Sequence, residues 1–228
     1  PGLGALTEKL VLESVSVTAV ELDFGLADYL IEKLGCHKNF SLVRGDFLKV
    51  ELPGNFTKAV SNLPYYCASE MLFRIALKYS IPSVYVMLQK EMADRLIAGH
   101  GTPEYGALTV SLGLYYNIKR EFTIPRDAFF PSPEITSSFL SLTKREKSLL
   151  TADQTRAFHV LVKSAFWGRR KTLGRALTDS PHLSLKRDQA RKLCMDAGID
   201  PERRGEELPL DQYCSLARIL ADIGLPEE

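Results

Sequence analysis

Apolar positions in the first half of the chain form short runs, separated by turn residues and amphipathic stretches. Residues 18–22, Thr-Ala-Val-Glu-Leu, form a run of strand length that contains the acid Glu21 near its end. Residues 24–34 carry apolar side chains at helical spacing and stop at Gly35. A short strand at 40–43 leads into Gly45-Asp46, and a further strand at 56–61 runs straight into Asn62. The spacing then predicts a helix over 69–79, a strand over 83–88, a helix over 90–97 and a β-rich stretch over 136–142. Ahead of all of these, Pro1-Gly-Leu-Gly4 turns into a helix over 5–13. Strands alternating with helices predict an α/β fold with a mostly parallel sheet.

From about residue 149 the pattern changes. Helical periodicity recurs over 152–166, 172–177, 189–197 and 210–223, with breaks at Ser180-Pro181 and Gly198-Ile-Asp-Pro201 and no β-type alternation. The charged stretch 143–148 marks the change, so the chain divides into domains at 1–145 and 146–228. A length of 228 residues accommodates one large domain and a smaller one.

Composition narrows the class. No apolar run approaches the ~20 residues of a membrane span, and no signal peptide is visible, so a cytoplasmic protein without a membrane partner is expected. Cys36, Cys67, Cys194 and Cys214 form no CxxC pair and no zinc spacing with the four histidines; reduced thiols and no metal site are expected. The formal net charge is only +1, so any nucleic-acid site is a local patch rather than a global field.

Six segments carry candidate chemistry. A glycine turn before a helix, as at Gly2 and Gly4, lets backbone N–H groups approach a ligand closely. Glu21 at a strand end, 17 residues after Gly4, suits the two ribose hydroxyls of a nucleoside cofactor. Asp23 is a neighbouring competitor for that role, and ribose pairing serves adenosylmethionine and NAD alike. In Gly45-Asp46-Phe47, the acid can accept from an adenine amino group while Phe47 stacks on the ring. Ligands bind outside the carboxyl ends of parallel strands, where these groups converge.

Asn62-Leu-Pro-Tyr65 is the most informative segment. The lone pair of an exocyclic amine is delocalised into its ring. Two acceptors must take its hydrogens and turn the nitrogen towards tetrahedral geometry before it attacks a methyl group. The Asn62 side-chain oxygen and the Leu63 carbonyl are those acceptors, Pro64 fixes φ, and Tyr65 offers a stacking face. The base must be flipped out or unpaired to enter. Further on, Phe129-Phe-Pro-Ser-Pro133 presents aromatics on a stiffened loop as the second face of a base sandwich. Phe166-Trp-Gly-Arg-Arg-Lys-Thr-Leu173, with Arg175, groups Arg169, Arg170, Lys171 and Arg175 for phosphate contacts on RNA.

Taken in order and spacing, these motifs resemble the ribosomal small-subunit rRNA adenine dimethyltransferase family, as do Met87-Leu-Gln-Lys-Glu91, Tyr105-Gly106 and Gly198-Ile-Asp-Pro201. The resemblance runs from Pro1 to about Ile223. It implies a Rossmann-like class I methyltransferase sheet with a small all-helical C-terminal domain that binds rRNA. It also implies S-adenosyl-L-methionine as cofactor and N6,N6-dimethylation of two adjacent adenosines near the 3′ end of 16S rRNA. The implied partner is a small ribosomal subunit in assembly, and the implied state is a monomer. By motif, Gly2 falls on the second glycine of the loop signature Glu-x-Gly-x-Gly. Glu21 falls on the ribose-binding acid, Asp46 on the adenine-binding acid, and Phe129 on the aromatic that packs the target base. The first strand, the acid and first glycine of the signature, and a basic arm would all precede Pro1.

Three other readings compete. A large-subunit rRNA resistance methyltransferase shares the Asn-x-Pro-Tyr logic, but the matched helical tail argues for the small-subunit enzyme. A non-catalytic nucleic-acid-binding relative would not need Asn62-Leu-Pro-Tyr65. An NAD-dependent dehydrogenase would leave that motif unexplained.

Overall fold

The computed structural model describes residues 1–129, 134–168, 170–183 and 185–224, with the Tyr65 side chain also outside the description. Two compact units divide the chain, Pro1–Leu88 and Gln89–Glu228.

The first unit begins with α1 (Ala5–Glu13), β1 (Val17–Glu21), α2 (Phe24–Leu34) and β2 (Phe40–Arg44). β1 and β2 pair in parallel, from Val17 opposite Phe40 to Glu21 opposite Arg44. Asp23 starts α2 by accepting a hydrogen bond from Leu26 N–H at 2.9 Å, an ordinary N-cap. The helix buries Ala27, Leu30 and Leu34, one face at helical spacing.

β3 (Lys58–Asn62) and β4 (Ser83–Gln89) form the second parallel pair, from Lys58 opposite Ser83 to Asn62 opposite Met87. In β4, Val84, Val86 and Leu88 are fully buried and alternate with half-buried neighbours, the period-two signature of a strand. The expected helix over 69–79 is two pieces, α3 (Ala68–Arg74) and a π-helical turn (Ile75–Tyr79) that ends at left-handed Ser80. After the wider turn the Tyr79 hydroxyl reaches the 50–52 segment, donating to Val50 O at 3.2 Å and accepting from Leu52 N–H at 3.3 Å.

The second unit contains α4 (Lys90–Ile97), α5 (Ala107–Gly113), β5 (Tyr116–Ile124) and β6 (Ser137–Lys144). β5 and β6 pair antiparallel, with a register shift between Arg120 and Phe122. Periodicity predicts neither α5 nor β5. β5 buries only Tyr116, and Lys119, Arg120 and Glu121 interrupt any apolar alternation.

The helical part holds α6 (Ala152–Ala165), α7 (Leu173–Asp179), α8 (Arg187–Asp196) and α9 (Leu210–Ile223). A reciprocal capping box opens α6: Thr151 Oγ1 accepts from Gln154 N–H and Gln154 Oε1 accepts from Thr151 N–H. Phe158, Leu161, Leu173, Leu177, Leu216 and Ala217 are fully buried in its core. Truncating a side chain such as Phe158 there costs about 3–5 kcal/mol. Tyr105, Val110 and Leu114 join the same core, and the Tyr105 hydroxyl donates to Leu208 O at 2.7 Å. Among the described residues no helix is long and apolar enough to cross a membrane, and the four cysteines are free thiols.

Candidate active site

The glycine turn is built for close approach. Gly4 has φ 80° and stands so near α2 that a Cβ would lie 2.7 Å from Leu30 Cδ2. An L side chain there meets both backbone strain and a buried leucine. Gly4 O accepts from Glu8 N–H at 2.8 Å, which starts α1. A Cβ on Gly2 would meet nothing within 4 Å, so the turn is open on its outer side.

Glu21 ties this turn to the strand ends. Its Oε2 accepts from Gly2 N–H at 3.0 Å and its Oε1 accepts from Asp23 N–H at 3.0 Å. Partial burial pushes its carboxyl up. Hydrogen bonds from the N–H groups of Asp23 and Gly2 pull it down, and it lies below the usual glutamate range. An ionised carboxylate has about four lone-pair sites. The two backbone N–H groups take one on each oxygen, and acceptor capacity remains for ribose hydroxyl donors. Of the two acids, Glu21 is the one that bonds the glycine turn, whereas Asp23 Oδ1 caps α2.

Asp46 lies two residues beyond the adjacent strand end, just after Gly45, whose N–H donates to Glu21 O at 2.8 Å. Its Oδ1 accepts from Leu48 N–H at 2.9 Å, and its Oδ2 stands 3.9 Å from Lys49 Nζ. Oδ2 is thus the oxygen with acceptor capacity to spare. Phe47 is half-buried, with its ring centroid 5.9 Å from that of Tyr79. The segment after Asp46 is strapped down by Arg74, whose guanidinium donates to Val50 O at 2.6 Å, and by Tyr79. Neither Arg74 nor Tyr79 stands out in the sequence, because their role depends on a contact made 24 to 29 residues away.

Asn62 ends β3 with its side chain exposed, and among the described residues that side chain has no hydrogen-bond partner. The next residue is fixed. The Leu63 side chain is buried and its N–H donates to Met87 O at 3.3 Å. Pro64 follows at φ −64° and ψ 132° and opens the turn Tyr65–Cys67. An acceptor amide on a strand end therefore sits beside a carbonyl whose residue is anchored in the core.

Phe129 is half-buried in the second unit, after the turn Arg126–Ala128. Phe130, Pro131, Ser132 and Pro133 lie outside the described residues, as does Arg169. Arg170 and Arg175 are exposed. Lys171 is not a free cation: its Nζ donates to Asp179 Oδ2 at 2.7 Å, an acid that the fold brings in from the end of α7. Sequence motifs also do not single out Leu22 and Phe24, two exposed apolar side chains that flank Glu21 and Asp23. Their signal is the apolar run continuing past the strand-ending acid.

Residues 1–222 match the family described as "Ribosomal RNA adenine dimethylase". This chain belongs to that family. It is an enzyme with the class I methyltransferase fold. The "Ribosomal RNA small subunit methyltransferase A" of Alkaliphilus oremlandii is 36% identical over 230 residues, covering 97% of this chain and 80% of that protein. Its namesake from Anoxybacillus flavithermus is 35% identical over 234 residues, covering 98% and 79%. Among solved structures, a dimethyladenosine transferase from Plasmodium falciparum superposes with a TM-score of 0.80 at 23% identity, covering 98% of this chain and 88% of that one. The 23S rRNA methyltransferase ErmE superposes at 0.71 with 25% identity, covering 96% and 87%.

Proposed function

We propose that this rRNA adenine dimethylase family member transfers methyl groups to N6 of two adjacent adenosines near the 3′ end of small-subunit rRNA, in the cytoplasm, on a subunit still in assembly. The observation that carries the chemistry is Asn62 at the end of β3, next to core-anchored Leu63. Membership of the family, and identity of 36% with a small-subunit methyltransferase over nearly the whole chain, support the substrate. The likeness to ErmE, an enzyme named for 23S rRNA, is lower at 25% identity.

The residues present fit S-adenosylmethionine. Glu21 has acceptor capacity to spare for the ribose hydroxyls, Asp46 Oδ2 accepts from the adenine amino group, and Phe47, Leu22 and Phe24 offer apolar surface to the ring. When bound, the cofactor supplies an electrophilic methyl group on its sulfonium. The target amine then donates one hydrogen to Asn62 Oδ1 and one to Leu63 O, which aims its lone pair out of the ring plane. Positioning and preorganised dipoles supply the rate enhancement. Tyr65 offers the base a stacking face. Residues 1–145 form the cofactor-binding domain and 146–228 the rRNA-binding domain, where Arg169, Arg170, Lys171 and Arg175 meet phosphates, and the protein acts as a monomer.

The deciding experiment supplies labelled S-adenosylmethionine with small subunits lacking the modification and, separately, with unmodified large subunits, and maps the labelled bases. Label in two adjacent small-subunit adenosines is expected. Label confined to large subunits would replace this reading with the resistance-type activity.

A further inference from the structure

Trp167 is the only tryptophan of the chain, and 53% of its surface is exposed. It follows α6 at the point where the chain divides its two aromatics. Phe166 turns inward and stacks on the buried Tyr213, with centroids 6.0 Å apart and an interplanar angle of 19°. Trp167 faces out. Trp167 N–H donates to Ser164 O at 3.2 Å, and Lys171 N–H donates to Gly168 O at 2.8 Å. The aliphatic stem of Lys171 lies over Gly168 so closely that a Cβ there would stand 2.9 Å from Lys171 Cδ.

A second, independent arrangement braces the ring. His182 packs on the indole in a T-shaped pair, with centroids 5.5 Å apart and an interplanar angle of 88°. His182 is placed by its own N–H, which donates to Ser180 Oγ at 3.1 Å, and Ser180 Oγ donates in turn to Ser164 Oγ in the core at 3.0 Å. An exposed indole would ordinarily be left mobile or be folded against the core. Here His182 packs against it, and about half of its surface stays open. Arg170, three residues further along the chain, and Arg175 on α7 are both exposed. An exposed aromatic ring on a segment that also carries exposed guanidinium groups has the chemistry that unpaired nucleotides bind: base on ring, phosphate on arginine.

We propose that Trp167, braced by His182, is a stacking platform for an unpaired nucleotide of the RNA substrate, separate from the nucleotide that is methylated. The proposal rests on the reading of this family member as an rRNA enzyme and adds a point at which the substrate is gripped. Trp167 acts by binding and touches no reacting atom.

The single tryptophan makes the test direct, because its fluorescence reports this site alone. Titration with single-stranded oligoadenylate should give saturable quenching, while inorganic polyphosphate of equal charge should bind without quenching. Trp167→Ala should weaken binding to unmodified small subunits roughly tenfold, the size of one base–ring stack, and Trp167→Tyr should recover most of that loss. Thermal melting of each variant separates weakened binding from a damaged turn. Equal quenching by polyphosphate, or unchanged particle affinity in a folded Trp167→Ala protein, overturns the platform. Methyl transfer by the unaltered enzyme is scored separately, so a failed platform leaves the assigned reaction standing, and an inactive enzyme that is still quenched by RNA sinks the reaction alone.

Discussion

The Gly2 N–H and the Glu21 carboxylate meet at 3.0 Å, although 19 residues separate them. That bond joins the glycine turn to the end of β1. With Gly45 N–H on Glu21 O at 2.8 Å, it brings three loops together at one residue. Glu21 is therefore both a structural tie and a candidate ribose acceptor. Glu21→Gln keeps the size of the side chain but removes the charge and one acceptor oxygen. Affinity for S-adenosylhomocysteine, read by calorimetry, should fall by about 1.5–3 kcal/mol, the range for hydrogen bonds to a charged partner. Unaltered affinity in the Gln variant would remove Glu21 from the cofactor site.

Asn62→Ala removes an amide that is exposed and makes no hydrogen bond among the described residues. Its melting temperature should stay within about 2 °C of the unaltered protein, since surface changes of this kind shift stability by less than ~0.5 kcal/mol. Methyl transfer to unmodified small subunits should be abolished while cofactor binding persists. Near-normal turnover of this variant would sink the two-acceptor arrangement.

Arg170→Ala combined with Arg175→Ala removes two exposed cations from the helical part. For every phosphate that is no longer neutralised, the slope of log affinity against log salt should become shallower by roughly 0.7–0.9, so particle binding should weaken most at low salt. The check is binding measured across a salt series; an unchanged slope means these arginines do not meet phosphate.

The Tyr115 hydroxyl and His159 Nε2 lie 2.6 Å apart in the second unit. Burial, helped by nearby Lys163, pushes the His159 pKa below its usual 6.5. The folded state thus holds this imidazole neutral where the unfolded chain would already take up a proton. Below about pH 6.5 the unfolded state binds more protons, so the stability of this unit is present above that pH and lost as pH falls. The melting temperature should decline by a few degrees on acidification, and His159→Gln should flatten that decline. An identical acid slope in the Gln variant would assign the effect to other groups.

Much of the site was legible because its residues lie where runs of one periodicity stop. The acid of 18–22 marks the end of β1, Gly45-Asp46 follows β2, and Asn62 closes β3. A strand end is a local event, and the chemistry of an exocyclic amine limits which side chains serve there. β5 was not legible, because an exposed strand with Lys119, Arg120 and Glu121 has no buried face to impose alternation. The π turn at Ile75–Tyr79 was not legible either, since the strap from Tyr79 to Val50 that accompanies it is a long-range contact.

By itself, the sequence determined the alternation of strands and helices, the helical tail, and the candidate side chains for holding the amine and the ribose. These follow from periodicity and from residue chemistry, which act over a few residues. Only the tertiary structure decided that Asp23 Oδ1 caps α2 while Glu21 bonds the glycine turn. It also decided that Lys171 is neutralised by Asp179, and that Trp167 is braced outward while Phe166 is turned onto the core. Each of these depends on which groups meet across space, and a buried or paired group has a different chemistry from the same group in water.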